Sequence, residues 1–233
     1  MLAVFKREFK SYFSTPIGFI VLAPFYFFLG LYFYTIYGYG APNVEMCITA
    51  MSTVAIFTMP VLTMRLMSED RRQKVDQALL TAPVKISGVV LGKFLAAFVV
   101  YALCFVPTIV FEVIIATHVT VNILTYLYAL LGAMLLGASL IAIGMFISSL
   151  TESAVISAIL TLLVNILALY MSNFASMIKV EWIAKLVEKT AFITAFENFS
   201  TSVFSVSDVV YFLSIIFVFV FLSVRSLEKR RWS

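Results

Sequence analysis

Few side chains in this sequence can do chemistry, and their spacing decides which kind. The densest group lies between Arg65 and Lys93, where Arg65, Glu69, Asp70, Arg71, Arg72, Lys74 and Lys85 fall within one short stretch. Charges of both signs at that density suit contact with another charged surface, although a run of charge is also how a solvated face reads. Acid–base catalysis finds little support. Glu112 stands alone in an apolar run, and a single carboxylate cannot serve as both acid and base. Asn165 and Glu197 are the other polar residues set among apolar neighbours, and with Glu112 they are candidates for lining a cavity or gate. Glu112 reads equally well as a residue about one turn from the outer surface, where water reaches it. His118, the sole histidine, reads as a solvated turn residue, so no metal site is expected.

The segment GVVLGKF at residues 88–94 invites a phosphate-loop reading, which fails. The glycine spacing is one residue short, neither Ser nor Thr follows Lys93, and no strand precedes it. Gly88 and Gly92 are better read as a close contact between helices, with Lys93 snorkelling to the headgroups.

The elements that position these residues are almost entirely apolar. Hydrophobic residues make up 63% of the chain and charged residues 12%, and the mean hydropathy is +1.07. Such a composition belongs to a polytopic membrane protein and leaves no room for a soluble domain. The net charge of +4 does not indicate nucleic-acid binding, because the basic residues collect at span ends instead of on one face. Cys47 and Cys104 fall in apolar runs without a framework pattern, so no disulfide is expected. The N-terminal apolar run is too long and too aromatic for a cleaved signal.

In chain order, residues 1–14 place Phe5, Phe9, Tyr12 and Phe13 at helical spacing opposite Lys6, Arg7 and Lys10, which predicts a helix lying in the headgroup layer. Thr15-Pro16 marks the corner into the membrane. Six spans follow, at about 17–37, 46–64, 86–116, 123–148, 154–171 and 208–224, an all-α fold in one transmembrane domain covering 1–233. The fourth is rich in small residues, with Ala133 and Gly137, then Ala138 and Ala142, spaced for close helix approach. Glu152 sits in a tight turn after it. Residues 172–206 read as one or two short amphipathic helices on the outer leaflet, with Phe192, Phe196, Phe199 and Phe204 around Glu197.

Positive charge orients the whole. Three of the sixteen Lys and Arg fall outside in this arrangement, where three Glu balance them, so both termini are expected in the cytoplasm. The charged stretch after the second span then faces the cell interior. Leu66, Val75, Leu79 and Leu80 give it a partial apolar stripe, and Pro83 ends it. An amphipathic helix there is a candidate dock for a soluble partner.

Several motifs resemble the membrane subunit of an ABC-2 type transporter. These are Met64-Arg65-Leu66, then Ser68-Glu69-Asp70-Arg71-Arg72, then Leu79-Leu80-Thr81-Ala82-Pro83-Val84, then Val90-Leu91-Gly92-Lys93. Phe196-Glu197-Asn198-Phe199, Asp208-Val209-Val210-Tyr211-Phe212 and the basic tail are similar to the gliding-motility-type branch of these permeases. Lys74-Val75 stands where many relatives carry Gly-Thr. The resemblance implies a permease in the bacterial cytoplasmic membrane that performs no catalysis itself, with ATP and Mg bound by a separate ABC ATPase subunit. It implies further a second copy or a homologous permease, an extracytoplasmic accessory protein and surrounding lipid as partners. Arg65, Glu69, Asp70, Arg71, Arg72 and Glu152 would meet the ATPase through charge, and Leu79, Leu80 and Pro83 through an apolar groove. The alternative is a structural membrane anchor of an envelope complex that uses such an ATPase without transporting a substrate. An intramembrane enzyme lacks the acid pairs it needs, and a secondary transporter would show inverted repeats or several intramembrane charges.

Overall fold

The computed structural model describes residues 1–39, 43–72, 85–119, 122–169, 171, 192–200 and 205–231. Among them, all regular structure is helical: α1 (Leu2–Ser14), α2 (Ile17–Gly38), α3 (Val44–Thr63), α4 (Ser68–Arg72), α5 (Ile86–Cys104), α6 (Val106–Ala116), α7 (Ile123–Leu150), α8 (Ala154–Leu169), α9 (Phe192–Ser200) and α10 (Val206–Arg231). Near-continuous apolar sequence explains this, because a backbone in lipid must satisfy its own hydrogen bonds and a helix does so within one segment. Where polar residues allow, the starts are capped. The Asn43 side chain accepts from Glu45 N at 3.0 Å, and that of Asn122 accepts from Leu124 N at 3.2 Å.

Among the described residues, five helical segments are long and apolar enough to cross a membrane: Ile17–Gly38, Val44–Arg72, Ile86–Ala116, Ile123–Leu150 and Val206–Lys229. The expected fifth span is the exception. Its helix α8 is described over 16 residues, and the span expected over 154–171 reaches beyond it. The amphipathic segment expected over 172–191 lies outside the described residues.

The third span is broken. Pro107 has no backbone N–H, so the helix stops at Cys104 and restarts at Val106 around Phe105. The Thr108 hydroxyl lies 2.7 Å from the Phe105 carbonyl and 3.0 Å from the Tyr126 hydroxyl, which ties the break to α7.

Helix α7 is the hub, packed on α3, α5, α8, α9 and α10. Its small residues make that possible. A Cβ at Gly137 would lie 1.9 Å from the Tyr101 ring of α5, so only glycine admits the ring. Tyr101, itself fully buried, donates to the Ala133 carbonyl at 2.9 Å and packs edge-on against Phe25 and Phe105. Cys47 and Cys104 are buried free thiols.

Helix α1 ends where Thr15-Pro16 turns the chain, and it packs on α5 and α2. Its aromatic row is part of the bundle: Phe5, Phe9 and Phe13 are half-buried against the core, with successive ring centroids 5.9 and 5.2 Å apart. Tyr12 is buried and donates to the Leu62 carbonyl of α3 at 3.0 Å.

Candidate functional site

The charged residues gather at one end of the bundle, and the packing of α1 on α5 explains how. A Cβ at Gly92 would lie 3.0 Å from the Met1 carbonyl oxygen and 3.1 Å from Val4 Cβ, so α1 lies directly on this turn of α5. The next residue, Lys93, is thereby sealed in, at 1% exposure. An unpaired ammonium there would carry a penalty of several kcal/mol, on the order of that for any buried ion. Two carboxylates remove it. Lys93 Nζ lies 2.8 Å from Asp70 Oδ2 and 3.1 Å from Glu8 Oε1. Arg7 completes the group, 2.6 Å from the same Glu8 oxygen and 3.9 Å from Asp70 Oδ2. Two cations thus face two anions contributed by α1, α4 and α5. The expectation that Lys93 snorkels to the headgroups is corrected: with Gly92 letting α1 close over it, Lys93 points inward as the centre of an ion-pair network.

A second clamp holds α4 from the other side. Ser148, near the end of α7, accepts from both Met67 N and Ser68 N at 3.1 Å and donates to the Met64 carbonyl at 3.1 Å. One hydroxyl therefore satisfies the backbone where the chain turns out of α3. Arg71 reaches past it, with Nε 2.8 Å from Glu152 Oε1 and Nη1 donating to the Leu150 carbonyl at 3.0 Å. Both α1–α5 and the α7–α8 turn therefore grip the start of the polar stretch.

The residues expected to face an ATPase divide accordingly. Asp70, Arg71 and Glu152 sit in internal ion pairs. Arg65 and Glu69, 3.8 Å apart, lie between two cavities. One, of about 330 Å³, is walled by α1 through Arg7, Glu8 and Ser11; the other, of about 400 Å³, by Arg72, Glu152 and Ser153. Arg72 is exposed. Lys74, Leu79, Leu80 and Pro83 lie outside the described residues.

The three cavity or gate candidates lie on three helices, α6, α8 and α9. Glu112 is half-buried on α6, and the Glu197 side chain lies outside what is described. Asn165 does line a cavity, of about 160 Å³, between α3, α7, α8 and α9. Its position follows from a defect in α3. Pro60 cannot donate to the Ile56 carbonyl four residues earlier, and Asn165 Nδ2 donates to that oxygen instead, at 3.3 Å.

Glu8 is the residue that sequence reasoning passed over. It is the lone acid among the cations of α1 and lies between their polar side and the aromatic row, a placement that signals an inward-turned charge. The carboxylates at the centre of the arrangement, Glu8 and Asp70, each lie against cations. Among the described residues, no three His, Cys, Asp or Glu side chains converge as metal ligands would.

Residues 39–225 match the model of a family described as ABC-2 family transporter protein. No curated protein matches the chain.

Proposed function

From the premise that this chain belongs to the ABC-2 transporter family and is a multi-pass membrane permease of an ABC transporter, we propose that α4 and the polar residues after it receive the stroke of a separate ABC ATPase. The observation that carries this reading is the double grip on α4. Lys93 ties Asp70 to α5 and, through the Glu8 carboxylate it shares and through Arg7, to α1, while Ser148 and Glu152 tie the same turn to α7 and the α7–α8 turn. A displacement of this short helix therefore reaches three other helices and the α7–α8 turn through close polar contacts, without depending on soft apolar packing.

In this reading both termini and α4 face the cytoplasm of a bacterial inner membrane, as the distribution of Lys and Arg favours. Helix α8 with the residues after it forms a sixth crossing, and α1 rests at the inner surface. ATP and Mg belong to the partner. Two permease chains, alike or homologous, form the membrane part, and the direction is export. The motifs around Phe196 and Asp208 favour the gliding-motility-type branch.

Copurification tests the proposal. Tagged parent chain should capture its ATPase, whereas Glu69→Lys combined with Arg72→Glu should release it while the permease still elutes as a folded species. Capture unaffected by this reversal, labelling of a cysteine at position 72 from outside the cell, or nucleotide hydrolysis by the purified chain alone would refute it.

A further inference from the structure

The cavity beside Asn165 carries a second reading, which rests on the transporter assignment and concerns what is carried. Asn165 is 1% exposed. Because only the amide nitrogen can donate to the Ile56 carbonyl, the bond at 3.3 Å fixes the orientation of the side chain. Its Oδ1 then has no hydrogen-bond partner among the described residues. A buried amide oxygen left in that state is costly unless a donor meets it.

Two of the other three polar side chains of the cavity share this character, and the third, Thr53, is exposed. Thr49 donates its hydroxyl proton to the Glu45 carbonyl at 2.9 Å, and Ser52 to that of Ile48 at 2.9 Å. Both helix-bound hydroxyls have only lone pairs left to offer. Among the described residues no charged side chain lines the space, and its remaining walls include Leu136, Leu140, Phe192 and Phe196. A cation would find no counter-ion there, and an anion would meet acceptors. The volume of about 160 Å³ matches the ~150 Å³ apolar cavity that accepts a benzene ring.

We propose that this pocket is a substrate subsite for a neutral, ring-sized group bearing a hydrogen-bond donor, the hydroxyl end of a phenol-like or alcohol-bearing amphiphile. The donor meets Asn165 Oδ1 and the ring lies among Leu140, Phe192 and Phe196.

Fluorine NMR on the full chain in phosphatidylcholine nanodiscs tests this with 4-(trifluoromethyl)phenol, against 4-(trifluoromethyl)toluene as a probe of the same shape without the donor. Empty nanodiscs give the lipid background. The phenol should bind saturably and about threefold to tenfold more tightly than the toluene, the ratio one hydrogen bond supplies. Asn165→Leu should abolish that preference. Ala168→Phe, which fills the pocket and keeps the amide, should exclude both probes. Equal binding of the two probes, no saturable binding, or binding indifferent to Ala168→Phe would overturn the proposal. The measurement needs no ATPase, so a chain that captures its motor yet ignores the phenol loses only the subsite, and the reverse result removes only the coupling role.

Discussion

Replacing Lys93 by Met tests the charged core of the proposed coupling site. The substitution keeps an unbranched apolar stem and deletes an ammonium that lies 2.8 Å from Asp70 and 3.1 Å from Glu8. Glu8 keeps Arg7 at 2.6 Å, whereas Asp70 retains a cation only at 3.9 Å, so the imbalance falls mainly on Asp70. Removing one partner of a fully buried pair costs about 3–5 kcal/mol. Asp70 still has 20% of its side chain exposed and reaches some water, which lowers the expected loss to about 2 kcal/mol. At roughly 2–4 °C per kcal/mol for a chain of this size, the midpoint of thermal unfolding should fall by about 4–8 °C. The informative step is the second substitution. Asp70→Asn in the Lys93→Met background removes the stranded charge and should raise the midpoint, although Asp70→Asn alone should lower it. Intrinsic fluorescence during heating of the purified chain, in one fixed detergent, reads all four proteins. A Lys93→Met midpoint within about 1 °C of the parent, or a double variant lower than Lys93→Met, would refute the network described here.

Ser148→Ala strands the buried N–H groups of Met67 and Ser68 and should destabilise by about 2–3 kcal/mol, while Ser148→Thr, which keeps the hydroxyl, should lose much less; chemical denaturation of the two variants separates the cases. Gly137→Ala places a methyl where the Tyr101 ring already lies 1.9 Å away, and Phe25 and Phe105 block the ring's retreat. We expect a loss above about 3 kcal/mol, seen as poor recovery of monodisperse protein, and partial recovery when Tyr101→Leu is added. The charge reversal at Glu69 and Arg72 and the phenol titration complete the set.

The helical class and most span positions were legible because apolar runs of membrane length leave the backbone one way to satisfy itself. Small residues in the fourth span marked close approach, and Gly137 against Tyr101 is such a contact. Asn165 was legible as a polar residue set within a span, but its acceptor was not, since that depends on Pro60 freeing a carbonyl in a helix far away in sequence. The break at Phe105 could have been read from Pro107, whose missing N–H was in view. Lys93 was misread for a reason of packing. A lysine near a span end has water within reach unless another helix covers it, and the covering helix is drawn in by Gly92. Glu8 was missed with it, because an acid in a basic leader looks like one more solvated charge until its partner is placed.

The proline in the second span also bears on the order in which the bundle can be completed. Its freed carbonyl at Ile56 is met by Asn165, and the turn that follows is met by Ser148, residues 109 and about 80 positions further along the chain. During synthesis this span therefore enters the membrane with acceptors and donors that later helices alone can satisfy. It stays malleable until the seventh and eighth helices arrive, and their docking is what sets its final shape.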